Sequence, residues 1–362
     1  MLKKNILHIS PNFNFACGVS KHVFILLSSS ELKKEYNLHF ITNGGDALQK
    51  LKNAQINYSL INFKTDKYLH FDLFGKYSLI KKYCIDKNIN IIHTHHRYPA
   101  LLAFIIANSL DIKTVVTVHN FVRRFKHLSY KADKIISVSN SVKSHLHKYF
   151  KLPESKIDVL YNCIAKEDFK EFNSSGLKST LNIPAESKVI LYTGRLIEEK
   201  GIRCLVNAFN MISQEFMPAE LVLVGENKLP SKLISKILSN PKIHFLPSRE
   251  NVNEFYQISD VVVLPSQKEP LGYTMLEAGL FKIPFIGSRA GGIAEFIEDG
   301  VNGYLFEPEN ADNLAGKIEY VLTHLNEALV TANKLHEKVT IECNCEKYFN
   351  KLVSIYSTLL ND

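Results

Sequence analysis

The sequence predicts an α/β protein with two open parallel sheets, each flanked by helices, and three observations predict it. At 362 residues the chain is too long for one ordinary domain and suits two of roughly 150–200 residues each. Short β-branched runs alternate with amphipathic stretches, the pattern of a parallel sheet covered by helices. That alternation breaks once, over a polar segment at 165–187 carrying Asn173-Ser174-Ser175-Gly176 and Pro184, and then restarts. The predicted organisation is a domain at 1–164, a linker at 165–187, a second domain at 188–344 and a final helical segment at 345–362 that crosses back to brace the first.

In the first half, strands are expected at 5–10, 38–42, 90–93, 114–119, 134–138 and 156–161, with helices at 19–30, 74–87, 99–110 and 141–150. In the second, strands fall at 189–193, 221–224, 243–246, 261–264 and 284–287, with helices at 201–216, 231–238, 252–259 and 274–281. Open sheets of this kind bind ligands outside the carboxyl ends of their strands, so strand-end residues are the ones to inspect. With two such domains, the expected active site is the cleft between them.

Composition narrows the class. Apolar residues make up 46% and charged residues 22%, so each half can bury a core and a disordered chain is excluded. Lys3 and Lys4 precede an apolar run, but Asn5, His8, Ser10 and Pro11 interrupt it, so it reads as a first strand and not a signal peptide. No stretch approaches the roughly 20 apolar residues that cross a bilayer. Six scattered cysteines follow no disulfide or zinc spacing, and Cys343-x-Cys345 reads as two unpaired thiols in a helical C-terminal segment. A cytoplasmic protein is expected, at most peripheral on the inner face of the membrane. Charge is unevenly spread: residues 1–160 hold 24 Lys and Arg against 10 Asp and Glu, and residues 161–362 hold 20 against 26. A basic first half points to nucleic acid, an anionic leaflet or a phosphorylated acceptor.

Two constellations carry chemistry. In Thr193-Gly194-Arg195-Leu196-Ile197-Glu198-Glu199-Lys200-Gly201, a strand ends at a glycine and two cations precede the next helix. That is a suitable clamp for a diphosphate, although a solvated basic loop would read the same. In Glu269-Pro270-Leu271-Gly272-Tyr273-Thr274-Met275-Leu276-Glu277, two carboxylates straddle a helix start whose outward amides suit phosphate oxygens.

Together these segments resemble the retaining, two-Rossmann-domain glycosyltransferases of family 4, with the GT-B architecture. The family's paired glutamates, with seven residues between them, match Glu269 and Glu277, and its Gly-Arg-Leu…Lys-Gly segment matches Arg195 and Lys200. Leu221-Val222-Leu223-Val224-Gly225, Gly291-Gly292-Ile293-Ala294-Glu295 and Asp299-Gly300-Val301-Asn302-Gly303 match in order, so the likeness covers most of residues 189–306. The resemblance implies a nucleotide-sugar donor, UDP-sugars being the commonest, with Arg195 and Lys200 neutralising the departing diphosphate. It implies Glu269 on the donor-sugar hydroxyls, Glu277 on the ribose, the amides of Leu271, Gly272, Tyr273 and Thr274 at the phosphates, and the base near 246–249. No cofactor and no metal are then expected, in keeping with the lack of an Asp-x-Asp motif.

The first half resembles the family more loosely. Gly18 occupies the place of its glycine loop, with Cys17 where a glycine is usual, and Cys163 stands in a usual Asn-Gly step beside Asn162. Thr117-Val118-His119 falls at the family's active-site position, which implies that the His119 imidazole contacts the donor sugar. His93 and His95 are expected on the acceptor side. A His93-Thr94-His95-His96 zinc site is disfavoured because alternate rings leave opposite faces of a strand. Arg123, Arg124 and Lys126, interleaved with aromatic residues, are candidates for docking on anionic lipid.

The function expected is transfer of a sugar to a glycan or lipid-linked acceptor, as in lipopolysaccharide, O-antigen or capsule synthesis. The alternatives are a catalytically silent partner that keeps the fold, a transferase for a protein or small molecule, or an inverting sugar-nucleotide enzyme. No nucleic-acid motif is present, and oligomeric state is not legible.

Overall fold

The computed structural model describes residues 3–63, 69–123, 126, 128–165, 176–212 and 218–361. The chain divides into two compact units, the first made of Met1–Cys163 with Cys345–Asp362, the second of Ile164–Asn344. Each is built on its own parallel sheet.

The first unit runs β1 (Lys4–Ile9), α1 (Gly18–Ser28), α2 (Ser30–Glu35), β2 (Tyr36–Thr42), α3 (Leu48–Asn53), β3 (Ser59–Leu60), α4 (Leu69–Asp86), β4 (Ile89–Thr94), α5 (Arg97–Leu110), β5 (Lys113–Val118), β6 (Lys134–Ser137), α6 (Asn140–Phe150) and β7 (Ile157–Val159). The second runs α7 (Leu177–Thr180), β8 (Lys188–Thr193), α8 (Ile202–Met211), β9 (Ala219–Val224), α9 (Ser231–Leu238), β10 (Ile243–Leu246), α10 (Asn253–Gln257), β11 (Val261–Leu264), α11 (Tyr273–Leu280), β12 (Phe285–Ser288), α12 (Gly291–Phe296), β13 (Tyr304–Phe306), α13 (Ala311–Thr323) and α14 (Leu325–Glu342). The final helix, α15 (Cys345–Asn361), belongs to the first unit.

The first sheet has the order β3-β2-β1-β4-β5-β6-β7 and the second β10-β9-β8-β11-β12-β13, all neighbours parallel. Strand order reverses between β1 and β4 in one sheet and between β8 and β11 in the other, and these are the positions where open sheets open a crevice for ligands. The strands there are apolar on both faces because helices cover both: Val261–Leu264 is buried throughout, and β8 is buried from Val189 onward.

The elements differ from expectation where a local preference beats periodicity. The helix expected at 19–30 is two helices, because Ser29 turns extended and its hydroxyl accepts the Leu32 N–H at 3.0 Å, capping the second. The helix expected from 201 ends at Met211, where Ile212 turns extended; residues 213–217 lie outside those described. Cys343 caps the end of α14, and Cys345 opens α15. The sheet-edge strands β3 and β13 are too short for a periodic signal.

α15 buries Tyr348, Phe349, Leu352, Tyr356 and Leu359 on one face. For residues such as Phe349 and Leu352, such burial stabilises by roughly 1.5–3 kcal/mol each. It also brings two tyrosine hydroxyls into the first unit's polar interior, described below.

Candidate active site

In the second unit, the loops leaving β8 and β11 meet at the switch point. Gly201 makes this possible: its φ is +72°, and a Cβ there would lie 1.9 Å from the Pro265 carbonyl oxygen. The β11 loop in turn lies against α12, where a Cβ on Gly292 would fall 1.8 Å from the Pro270 carbonyl oxygen and the Gly292 N–H donates to the Glu269 carbonyl at 2.7 Å. The late glycine pair thus acts as a floor under the Glu269 loop.

Lys200 and Glu269 are brought together. Lys200 Nζ lies 2.5 Å from Glu269 Oε2, which also accepts from the Ser266 hydroxyl at 3.0 Å. The Glu269 side chain is 7% exposed and that of Lys200 22%, so the pair is sheltered but reachable from one side. Arg195 is exposed and makes no ion pair among the described residues; its carbonyl is pinned by the Tyr192 hydroxyl at 2.8 Å. Arg195 therefore holds its backbone fixed and its guanidinium available.

Glu277 sits inside α11 and is buried. The Tyr256 hydroxyl donates to Glu277 Oε2 at 2.5 Å and lies 2.7 Å from Thr193 Oγ1. The Thr274 hydroxyl donates to the Thr193 carbonyl at 2.9 Å, closing a network between β8, α10 and α11. Burial, and then the Glu277 carboxylate beside it, holds the Tyr256 phenol well above its usual range, so it stays a donor. Leu271, Gly272, Tyr273 and Thr274 are buried at the start of α11, where Gly272 is the N-cap and no side chain caps the helix. Arg249, near the expected base position, pairs with Glu254 at 3.3 Å.

In the first unit, five imidazoles converge at the carboxyl ends of β1, β4 and β5. His8 and His93 are register partners on β1 and β4, His95 follows β4, His119 follows β5, and His22 comes from α1. His95 Nε2 lies 3.1 Å from His8 Nδ1, and His95 Nδ1 lies 3.5 Å from His119 Nε2. Burial pushes His8 and His22 down to about 3, with His22 adding to the shift on His8. Burial first, and the neighbouring imidazoles second, hold His93, His95 and His119 well below the usual histidine range. All five are therefore neutral at neutral pH.

The structure corrects the expectation for His93. It is 0% exposed, and both ring nitrogens are engaged, Nδ1 with the Tyr356 hydroxyl at 2.5 Å and Nε2 with the Thr117 hydroxyl at 2.7 Å. It is a core residue, and His95, 2% exposed, is likewise buried, with its ring against that of half-buried His119. Gly18 is the exposed first residue of α1. Arg123 and Lys126 are exposed, the former's carbonyl accepting from Tyr149 and the latter's ammonium 5.8 Å from the same ring; Arg124 lies outside the described residues. Tyr256, Thr193, Ser266, His8 and His22 were not anticipated. Ser266 acts locally, three residues from Glu269, whereas Tyr256, Thr193, His8 and His22 act through contacts with elements far away in sequence, which no local pattern marks.

Two parallel sheets, one with a histidine cluster and the other with the Lys200–Glu269 pair at its switch point, have the GT-B architecture of glycosyltransferases. Residues 176–336 match the family described as glycosyl transferases group 1, and residues 18–168 match glycosyltransferase family 4. The N-acetyl-alpha-D-glucosaminyl L-malate synthase of Bacillus anthracis is 26% identical over 352 residues, covering 91% of each chain. The capsular polysaccharide biosynthesis glycosyltransferase CapM of Staphylococcus aureus is 24% identical over 368 residues, 95% of this chain and 96% of its own. Among solved structures, Anabaena HepE in complex with UDP-glucose superposes with a TM-score of 0.84 at 17% identity, over 98% of this chain and 99% of that one. The chain belongs to the group 1, family 4 glycosyltransferases.

Proposed function

We propose that the chain transfers a sugar from a UDP-sugar, with retention and without a metal, to a glycan or lipid-linked acceptor of the kind that builds lipopolysaccharide, O-antigen or capsule. The observation that carries this is the sheltered Lys200–Glu269 pair at the switch point of the second sheet. An ammonium has three donors, so Lys200 can keep Glu269 and still meet a phosphate oxygen. Together with Arg195 it neutralises charge developing on the departing diphosphate, work a metal performs elsewhere. Glu269 accepts from the sugar hydroxyls, Glu277 takes the ribose, and the amides of Leu271–Thr274 and Gly18 face the phosphates. His119, neutral, sits against the sugar ring. Retention then needs no enzymic nucleophile, since the departing diphosphate serves as base on the face it leaves.

The names of the relatives support a nucleotide-sugar donor and a cell-surface acceptor: HepE is solved with UDP-glucose, and CapM acts in capsule synthesis. No helix among the described residues is long and apolar enough to cross a membrane. The exposed Arg123 and Lys126, with Arg124, are assigned to peripheral docking on the anionic cytoplasmic leaflet.

The test is donor turnover with UDP-glucose, UDP-galactose and their N-acetyl forms in EDTA. Lys200→Ala and Glu269→Ala should each lower it by about 10²–10³-fold, with circular dichroism unchanged. Near-normal turnover in both variants, or activity that disappears with EDTA in the parent, overturns the assignment. NMR of the product anomer decides retention.

A further inference from the structure

His22, His95 and His119 each present one ring nitrogen, and the three atoms lie within 4.8 Å of one another. The His95 Nδ1 to His119 Nε2 separation, 3.5 Å, is long for an N–H···N hydrogen bond. It is close to the roughly 3.3 Å edge of a tetrahedron whose corners lie about 2.0–2.1 Å from a zinc ion. Ring centroids are 4.7 Å apart for His22 and His119, 5.6 Å for His22 and His95 and 5.7 Å for His95 and His119. Imidazoles sharing one ion have centroids about 5 Å apart.

The surroundings fit. A metal-bound imidazole usually donates its second N–H to an outer partner, and His95 Nε2 has one in His8 Nδ1 at 3.1 Å. That leaves His8 Nε2, which is buried and has no hydrogen-bond partner, as the protonated end of the chain. His22 Nε2 lies 3.3 Å from the Tyr348 hydroxyl, a contact the ion would replace or leave outside it. A second triad, His8, His93 and His95, has equally close atoms, but His93 has both nitrogens committed to Tyr356 and Thr117. In the first triad His22 and His95 are buried and His119 is half-buried.

We propose that His22, His95 and His119 form a three-imidazole site for a zinc-class divalent cation. Nitrogen ligands without a carboxylate select zinc, cobalt, nickel or copper over magnesium or calcium. The site lies in the first unit and is no cofactor for diphosphate departure. An ion there takes the His119 lone pair, so it inhibits transfer; that consequence rests on the role given to His119 above, whereas the binding does not.

The test is titration of the full chain, stripped with EDTA and desalted, with Co²⁺, read by its visible ligand-field absorption. One equivalent should give the intense band of a four- or five-coordinate nitrogen site, displaced by Zn²⁺. His119→Ala and His22→Phe should each lose it, with affinity at least about tenfold weaker, while His324→Ala, on the exposed surface of the second unit, leaves it intact. If His22→Phe does not fold, His119→Ala decides, since that side chain is less buried than His22 and follows the end of β5. A parent without the band, a weak octahedral spectrum only, or a band that survives in His119→Ala overturns the proposal. The spectrum requires no turnover, so a failed titration and a failed transferase assay are separate results.

Discussion

Lowering the pH from 7.5 to 5.5 should weaken the first unit much more than the second. His8 and His22 are 0% exposed, and burial holds both at about 3, against an ordinary histidine value of about 6.5. A base with a depressed folded pKa binds fewer protons folded than unfolded between those two values. Its stability is therefore present in full above about pH 6.5 and is lost as pH falls towards 3. At pH 5.5 the loss is somewhat over 1 kcal/mol for each, and about 3 kcal/mol for the two together. His93, His95 and His119 are depressed for the same reason and add in the same direction. Among the described residues the second unit has no fully buried histidine. Urea unfolding in EDTA, followed by hydrogen-exchange mass spectrometry and corrected for intrinsic exchange, separates peptides of β1 and β4 from those of β8 and β11. His8→Leu should flatten the dependence of the first set by roughly one histidine's share, about 1 kcal/mol per pH unit. Equal pH sensitivity in the two sets, or none in β1 and β4, refutes the reasoning.

Two further substitutions probe the second unit. Gly201→Ala places a methyl against the Pro265 carbonyl at a positive φ, so it should cost about 2–5 kcal/mol of stability; a urea midpoint within error of the parent contradicts that contact. Tyr256→Phe leaves the buried Glu277 carboxylate without its phenolic donor and should cost about 1–3 kcal/mol. It should also raise the KM for the donor, and if neither stability nor KM moves, Tyr256 is not what positions Glu277.

The sequence was most legible where one residue type at one spacing reports one backbone event. Gly194, Gly201 and Gly272 mark strand-to-helix turns, and the structure puts each at such a turn, with Lys200 and Glu269 meeting across two of them. Continuous apolar strands such as Val261–Leu264 were equally plain, because a sheet covered on both faces leaves no polar alternation to misread. What stayed hidden depends on strand order. His8 looks like an ordinary strand residue until β1 pairs with β4 and sets it beside His93. Alternation on β4 correctly separates His93 and His95 from Thr94 and His96, but it says nothing about rings arriving from β1, β5 and α1. The split at Ser29 was missed because a serine inside an apolar-periodic run reads as helix surface until its hydroxyl is seen to cap the next helix.

The first unit is discontinuous in the chain: its sheet is encoded before residue 164, and its last helix after residue 344. During synthesis all of the second unit leaves the ribosome before that helix exists, a delay of roughly 10–40 s at ordinary translation rates. Throughout that interval His93 lacks the Tyr356 hydroxyl and His22 lacks Tyr348. The nascent sheet therefore carries a wet, uncapped cluster of imidazoles until residues 345–361 are made, and those residues are the ones that dry it.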